Sequence, residues 1–191
     1  DSVNTNPMIK PVTLTFPRDG YRMLFTDNHD MNSWNKNMVY NFGNGLEASI
    51  VLTGTVNGMP LVYGGQEAGL DRSLAFFEKD LIDWSQMPYE GLFKKLFDVK
   101  HRNHALWNGK EGGVMVRIYN DKMEQVISFS RTKDKDRVIP IINYSNKPVT
   151  VKLNSNHLKG DYTEAFSRKK ITLNGDDVFT LKPWEYLVLE E

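Results

Sequence analysis

The chain of 191 residues contains no cysteine, which excludes disulfides and thiolate metal sites. Lysine plus arginine number 24, and aspartate plus glutamate also number 24, so no net charge remains. Without a basic surplus, no nucleic-acid partner and no membrane surface is expected. No apolar run approaches the roughly 20 residues that a membrane helix needs. Residues 1–10 are polar and lack the apolar core of a signal peptide. None of these absences identifies a compartment. His29, His101, His104 and His157 lack paired-ligand spacing, and the pair at 101 and 104 has no third partner in sequence.

What is present divides near Gly112-Gly113. Before that point, short apolar runs alternate with helix-like segments. Residues 23–26 read as a strand. Residues 46–56 carry the small and apolar side chains of a buried helix, and Gly58 is placed to end it as a glycine C-cap. Residues 59–63 form a short apolar run between glycines, as a buried parallel strand does. Residues 89–106 repeat apolar positions near the 3.6 period and read as an amphipathic helix. The order strand, helix, strand, helix is that of β/α units. After Gly113 the period becomes two. Segments 114–119, 125–131, 137–144, 149–153, 162–166, 170–173, 178–181 and 185–189 read as strands separated by turn compositions. Their number and spacing predict an antiparallel β-sandwich. Residues 1–20, with three prolines, read as a loose or extended lead-in.

Two stretches carry chemistry. Leu24-Phe25-Thr26-Asp27-Asn28-His29-Asp30 is an apolar run that releases polar groups at its end, as strands of a β/α barrel do at a catalytic face. Gly58-Met59-Pro60-Leu61-Val62-Tyr63-Gly64-Gly65-Gln66-Glu67 is the second. From pattern alone, Asn28-His29-Asp30 reads equally as a polar turn whose Asx residue caps the next helix.

Together these stretches resemble the seventh- and eighth-strand motifs of the α-amylase superfamily of glycoside hydrolases. Residues 69–84, with Phe76-Phe77-Glu78-Lys79-Asp80 and Ile82-Asp83-Trp84, continue in the manner of bacterial maltodextrin-acting members. The β-rich remainder resembles the family's C-terminal sandwich. The resemblance implies an α/β plus all-β architecture. Residues 21–112 would be the last two β/α units of a (β/α)₈ barrel, with strands 7 and 8 and their helices. Residues 113–191 would be the antiparallel β-sandwich. It also implies that His29 binds hydroxyls of the sugar at the cleavage point and that Asp30 stabilises the transition state, with Asn28 supporting the loop. Trp34 and Glu67 are further candidates to line a sugar site. The implied partner is an α-glucan oligosaccharide of the starch or maltodextrin type.

The departure lies at the front. A retaining glycosidase needs a nucleophile and an acid/base carboxyl about 5–5.5 Å apart, and nothing before Phe25 resembles the family's carriers of either. Asp27 does not replace them, since along a strand its side chain points opposite to its neighbours. The chain alone is therefore expected to be inactive, as the C-terminal portion of such an enzyme. The alternative is a non-catalytic maltodextrin-binding or structural sandwich, whose aromatics Tyr119, Tyr144, Tyr162, Trp184 and Tyr186 show no platform spacing.

No cofactor is expected. Calcium is found in many relatives, yet Asp71, Glu78, Asp80 and Asp83 show no loop of alternate ligands and read as caps or solvated surface. Trp84 and Trp107 are expected in the core. Asn143-Tyr144-Ser145 is a glycosylation sequon by pattern only. Two barrel strands without neighbours leave open edges, so self-association through residues 23–26 and 59–63 is expected.

Overall fold

The computed structural model describes residues 20–191; apart from Gly20, the lead-in expected at 1–20 lies outside the described residues. The helical segment holds β1 (Met23–Leu24), α1 (His29–Trp34), α2 (Met38–Phe42), α3 (Leu46–Thr55), β2 (Met59–Pro60) and α4 (Glu90–Arg102). Strands β3 (Val114–Arg117), β4 (Val126–Lys133), β5 (Asp136–Asn143), β6 (Val149–Lys152), β7 (Gly160–Glu164), β8 (Lys170–Leu173), β9 (Val178–Leu181) and β10 (Tyr186–Glu190) follow.

β1 and β2 pair in parallel, Met23 opposite Met59 and Leu24 opposite Pro60. Both are shorter than the sequence suggests. The Met59 N–H donates to the Arg22 carbonyl at 2.8 Å and the Leu61 N–H to the Leu24 carbonyl at 2.7 Å. Each strand has one neighbour among the described residues, so nothing extends the ladder past these bonds. Gly58 does not cap α3. The cap is Val56, whose N–H bonds the Leu52 carbonyl. Gly58 has φ +145, and a Cβ there would lie 2.6 Å from the Leu24 side chain and 2.7 Å from the Arg22 carbonyl oxygen. The glycine is required by the close approach of the two strands.

α3 buries residues all round: Leu46, Ala48, Ser49, Ile50, Val51, Gly54 and Thr55. Gly54 lets α4 approach, since a Cβ there would meet Leu96 at 2.5 Å. α4 buries Phe93, Leu96 and Val99 along one stripe. It ends at Arg102, earlier than periodicity implies, because Asn103 turns extended and its buried amide donates to Glu190 at 3.0 Å. Glu190 also accepts from Arg102 at 2.7 Å and pairs with Arg168, which fastens α4 to β10.

The eight strands β3–β10 form a six-stranded antiparallel sheet, in the order β3-β4-β5-β10-β7-β8, and a two-stranded sheet, β6-β9. The large sheet is the middle layer. Ile127, Phe129, Val138, Ile142 and Val188 face Ala48, Val51, Val99, Ala105 and Leu106 of the helical segment. Val126, Ile139, Ile141 and Leu189 face Val149, Val151 and Leu181 of the small sheet. Coverage on both faces explains why β4 and β5 read as apolar runs rather than strict alternation.

Arg131 of β4 is 1% exposed and points into the seam between helices and sheet. Its guanidinium donates to the carbonyls of Thr55, Val56, Leu106 and Gly113, at 3.2–3.3 Å, and to that of Trp107. Burial lowers it to about 10, so it stays charged at neutral pH. Lys100 lies alongside, donating to the Leu106 carbonyl at 2.7 Å. Trp107 closes this corner instead of entering the core. It is 37% exposed, and its indole N–H donates to the Lys100 carbonyl at 3.0 Å. Trp84 is 49% exposed, in the loop before α4, and does not enter the core. The Asn143 sequon is closed to modification: the side chain is buried and donates to the Lys147 and Lys182 carbonyls at 2.7 Å.

Burial, and then the Arg131 charge, lowers Lys100 from 10.5 to about 8. A lysine depressed on folding binds its proton more weakly than in the unfolded chain. Its cost is complete below pH about 8 and fades as pH rises towards 10.5. Across that window the Lys100 contribution to stability is expected to rise by about 1–2 kcal/mol, discounted for partial solvent access. Urea unfolding of Lys100→Met is expected to lack that rise; an equal rise in the variant would contradict the assignment.

Candidate functional site

The residues after β1 turn from strand to helix through a polar network. Asp27 is buried, and its carboxylate accepts from the Asn28 N–H at 2.9 Å, the Asn32 amide at 3.1 Å and the Met38 N–H at 3.2 Å. Burial raises its pKa, and these three hydrogen bonds oppose the rise. The side chain points inward, as a residue supporting the turn must. Asn28 is the N-cap of α1, and its side-chain oxygen accepts from the Met31 N–H at 2.7 Å. The Asx-cap reading of this motif therefore describes Asn28.

With Asp27 and Asn28 occupied by the backbone, His29 and Asp30 open α1 with side chains 65% and 63% exposed. The His29 Nε2 and an Asp30 carboxylate oxygen lie 3.6 Å apart. Trp34, at the other end of α1, is exposed and packs against Phe76, ring centroids 5.4 Å apart. Phe76 also lies 6.0 Å from the His29 ring and 4.9 Å from Phe77, which is 85% exposed. The structure thus brings His29, Asp30 and Trp34 onto one short helix beside Phe76 and Phe77, which carry part of the family resemblance in sequence but were given no role at the site.

The loop carrying those phenylalanines is held in place. Asn32 is fully buried; its amide donates to Asp27 and to the Arg72 carbonyl, and its oxygen accepts from the Leu74 N–H at 2.8 Å. Ser33 donates to the Leu74 carbonyl at 3.0 Å. Arg72 grips Asp80 with two bonds of 2.8 and 2.7 Å. That guanidinium holds the Asp80 carboxyl at about 2, so it is ionised through the physiological range. Asp83 accepts from the Ser85 N–H at 2.9 Å, a local turn contact. Among the described residues no group of three or more His, Cys, Asp or Glu is placed to hold a metal ion.

The second motif meets the first through Gln66 rather than Glu67. The Gln66 side chain is buried; its oxygen accepts from the Tyr63 N–H at 2.7 Å, and its amide donates to the Thr26 hydroxyl at 2.7 Å. It fixes the end of β2 to the end of β1. Glu67 is half-buried, with one carboxylate oxygen enclosed and lacking a hydrogen-bond partner among the described residues. Sequence pattern gave no sign of the Gln66 and Asn32 contacts, because both join segments some forty residues apart.

On the sandwich, Tyr144 and Tyr162 are buried, Trp184 and Tyr186 pack into the core beneath the helices, and Tyr119 is exposed. No coplanar aromatic platform forms from these five.

Residues 116–188 match the family model described as Maltogenic Amylase, C-terminal domain. The chain is similar to α-amylase MalA of Haloarcula japonica, 25% identical over 175 residues, which covers 85% of this chain and 25% of that protein. Among solved structures it resembles the maltogenic α-amylase AmyB of Thermotoga neapolitana. The TM-score is 0.77 at 22% identity, over 92% of this chain and 42% of that one. An Anoxybacillus α-amylase gives a TM-score of 0.71 at 18% identity, over 88% and 37% respectively. The chain thus spans about a quarter of the length of the curated relative and about two-fifths of the solved ones. The two sheets resemble the C-terminal β-sandwich of these amylases, and the matches together support an α-amylase superfamily C-terminal portion, with a maltogenic-amylase-type C-terminal domain at residues 116–188.

Proposed function

We propose that this chain supplies half of the cleavage site of a retaining α-glucan hydrolase acting on starch or maltodextrin. In this reading β1 and β2 are strands 7 and 8 of a (β/α)₈ barrel spanning residues 21–112, and residues 113–191 form the supporting sandwich. His29 donates to hydroxyls of the sugar at the scissile bond. Asp30 holds the same sugar more tightly as its ring gains oxocarbenium character, which lowers the barrier by differential binding. Asn28 fixes the turn that aims them, and Trp34 offers a ring face to the sugar. Glu67 contributes at the edge of the site through its enclosed carboxylate. The nucleophile and the acid/base carboxyl come from residues outside this chain, and the catalytic step needs both.

One observation carries the reading: His29 and Asp30 stand side by side and exposed at the end of a strand paired in parallel with β2, while Thr26, Asp27 and Asn32, which shape the turn, are buried. A turn serving only to cap a helix needs Asn28 and leaves no reason to present His29 and Asp30 together beside aromatic rings. The sandwich acts as structural support, because its main sheet shares one core with α3 and α4.

Reducing-sugar release from maltoheptaose is the test. This chain alone is expected to release none. In a longer chain that completes the barrel, Asp30→Asn is expected to lower kcat about 10²–10³-fold with KM little changed. Release by this chain alone that disappears in Asp30→Asn would mean the site is complete here. An unchanged kcat in the longer variant would remove Asp30 from the chemistry.

A second consequence concerns the open strands. Tyr21, Met23, Phe25 and Met59 are exposed around β1 and β2, and an unpaired parallel edge invites a further strand. Sedimentation velocity is expected to show self-association of this chain, abolished by Met23→Lys with Met59→Lys. A monomer at every concentration, with slow amide exchange at Leu24 and Leu61, would contradict it.

A further inference from the structure

A cavity of about 420 Å³ opens beside β2, lined by Pro60, Phe97, Lys100, His101, Trp107 and Asn108. Its residues come from β2, the second half of α4 and the turn after it, and none from the helix that carries His29 and Asp30.

The walls are fixed. The Trp107 indole N–H donates to the Lys100 and His101 carbonyls at 3.0 and 3.2 Å, and its ring lies 4.0 Å from that of His104. The Asn108 side-chain oxygen accepts from the Gly58 N–H at 3.1 Å, which ties the turn to the start of β2. Phe97 stacks on Phe93, ring centroids 6.0 Å apart. Three apolar side chains, Pro60, Phe97 and Trp107, thus share the cavity with one amine.

Structural support does not account for Lys100. The Leu106 carbonyl that takes its N–H at 2.7 Å already accepts from Arg131 at 3.2 Å. Its second acceptor, the Gly58 carbonyl, lies at 3.5 Å. A further cation beside a buried guanidinium costs stability, and a costly charge on a cavity wall marks a candidate for function. The charged and titratable groups around it are Arg131 from β4 and His101 on α4; among the described residues no carboxylate lines the cavity. Burial, and then Arg131, bring the amine to about 8. At about pH 7.4, roughly one molecule in five therefore carries it neutral, against roughly one in a thousand for an ordinary lysine. A neutral amine keeps two N–H bonds, one for each carbonyl, and its lone pair takes the remaining position.

Such a lone pair adds to carbonyl carbons. Imine formation expels only water and calls for no leaving-group pocket, so an aldehyde is the electrophile that suits this wall. A flat apolar body packs on Pro60, Phe97 and Trp107, and the volume falls within the range of small-molecule sites, about 300–1,000 Å³. We propose that Lys100 is a covalent binding site for aromatic aldehydes, which the cavity holds while the amine forms an imine. The Lys100 nitrogen bonds to the aldehyde carbon, a proton passes from nitrogen to oxygen to give a carbinolamine, and loss of water leaves the C=N bond. The site stands apart from the α-glucan reading, and neither result bears on the other.

Benzaldehyde with cyanoborohydride, followed by peptide mass mapping, tests the proposal on the unaltered chain. The reductant delivers hydride to the imine and fixes it as a benzylamine. Lys100 is expected to be labelled about tenfold faster or more than any other lysine, at a rate that rises to a plateau through about pH 8. Benzyl alcohol, which occupies the cavity without reacting, is expected to slow labelling at Lys100 alone. Glyceraldehyde is expected to prefer Lys100 less than benzaldehyde does, because the walls give it nothing to pack on. Lys100→Arg is expected to lose the fast label and keep the slow ones, and urea is expected to abolish the preference in the unaltered chain, a control that needs no variant. Labelling spread evenly over the lysines of the folded chain would overturn the proposal. Equal preference for both aldehydes, with no protection by benzyl alcohol, would overturn it as well, leaving a reactive amine without a binding site.

Discussion

The Arg131 guanidinium, buried in the seam between α3, the turn after α4 and the large sheet, is the interaction on which the rest of the arrangement depends. A buried cation is costly unless its donors are all engaged. Among the described residues no carboxylate answers it. Carbonyls of Thr55 and Val56 at the end of α3 do, with those of Leu106, Trp107 and Gly113. Helix ends leave such carbonyls orphaned and partly negative, so a cation there satisfies two needs at once. The position of Arg131 in β4 means that the helical segment cannot move relative to the sheet without stranding these groups. Lys100 crowds the same corner, which is why its proton is held weakly.

From that anchor the site follows mechanically. α3 runs back from the Arg131 seam to α2, and the Met38 N–H at the start of α2 bonds Asp27. Asp27 in turn holds Asn28 and Asn32. Polar side chains that bind backbone face inward, and His29 and Asp30 are left facing out. The loop with Phe76 and Phe77 is tied to the same network through Asn32. Catalytic geometry of the kind proposed requires side chains fixed to within a fraction of an ångström, and a buried network of this sort is what fixes them.

Much of this was legible in the sequence. All eight sandwich strands fall where alternation and turn composition place them, because Asn, Asp, Gly and Pro clusters between apolar runs have few other uses. α3 and α4 are equally plain from their apolar content and period. The parallel strands were read too long, since pattern does not know how many neighbours a strand has. Gly58 looked like a helix cap, and serves instead a close approach that only the paired strand reveals. Trp84 and Trp107 were placed in the core on hydrophobicity, yet an indole N–H with a carbonyl to bind can hold Trp107 at the surface. Arg131, Gln66 and Asn32 were silent, because each acts between segments far apart in sequence, and a single polar residue in a strand or turn gives no hint of its direction.

The central claim is that helices and sheet form one cooperative unit anchored by Arg131, which in turn presents His29 and Asp30. Native-state hydrogen exchange, read separately for amides of α3 and of β4–β5, tests it most directly. The account predicts opening free energies for the two within about 1 kcal/mol of each other, and separation of the two in Arg131→Met, with α3 exchanging first. Amides of α3 that already exchange far faster than the sheet in the unaltered chain would contradict it.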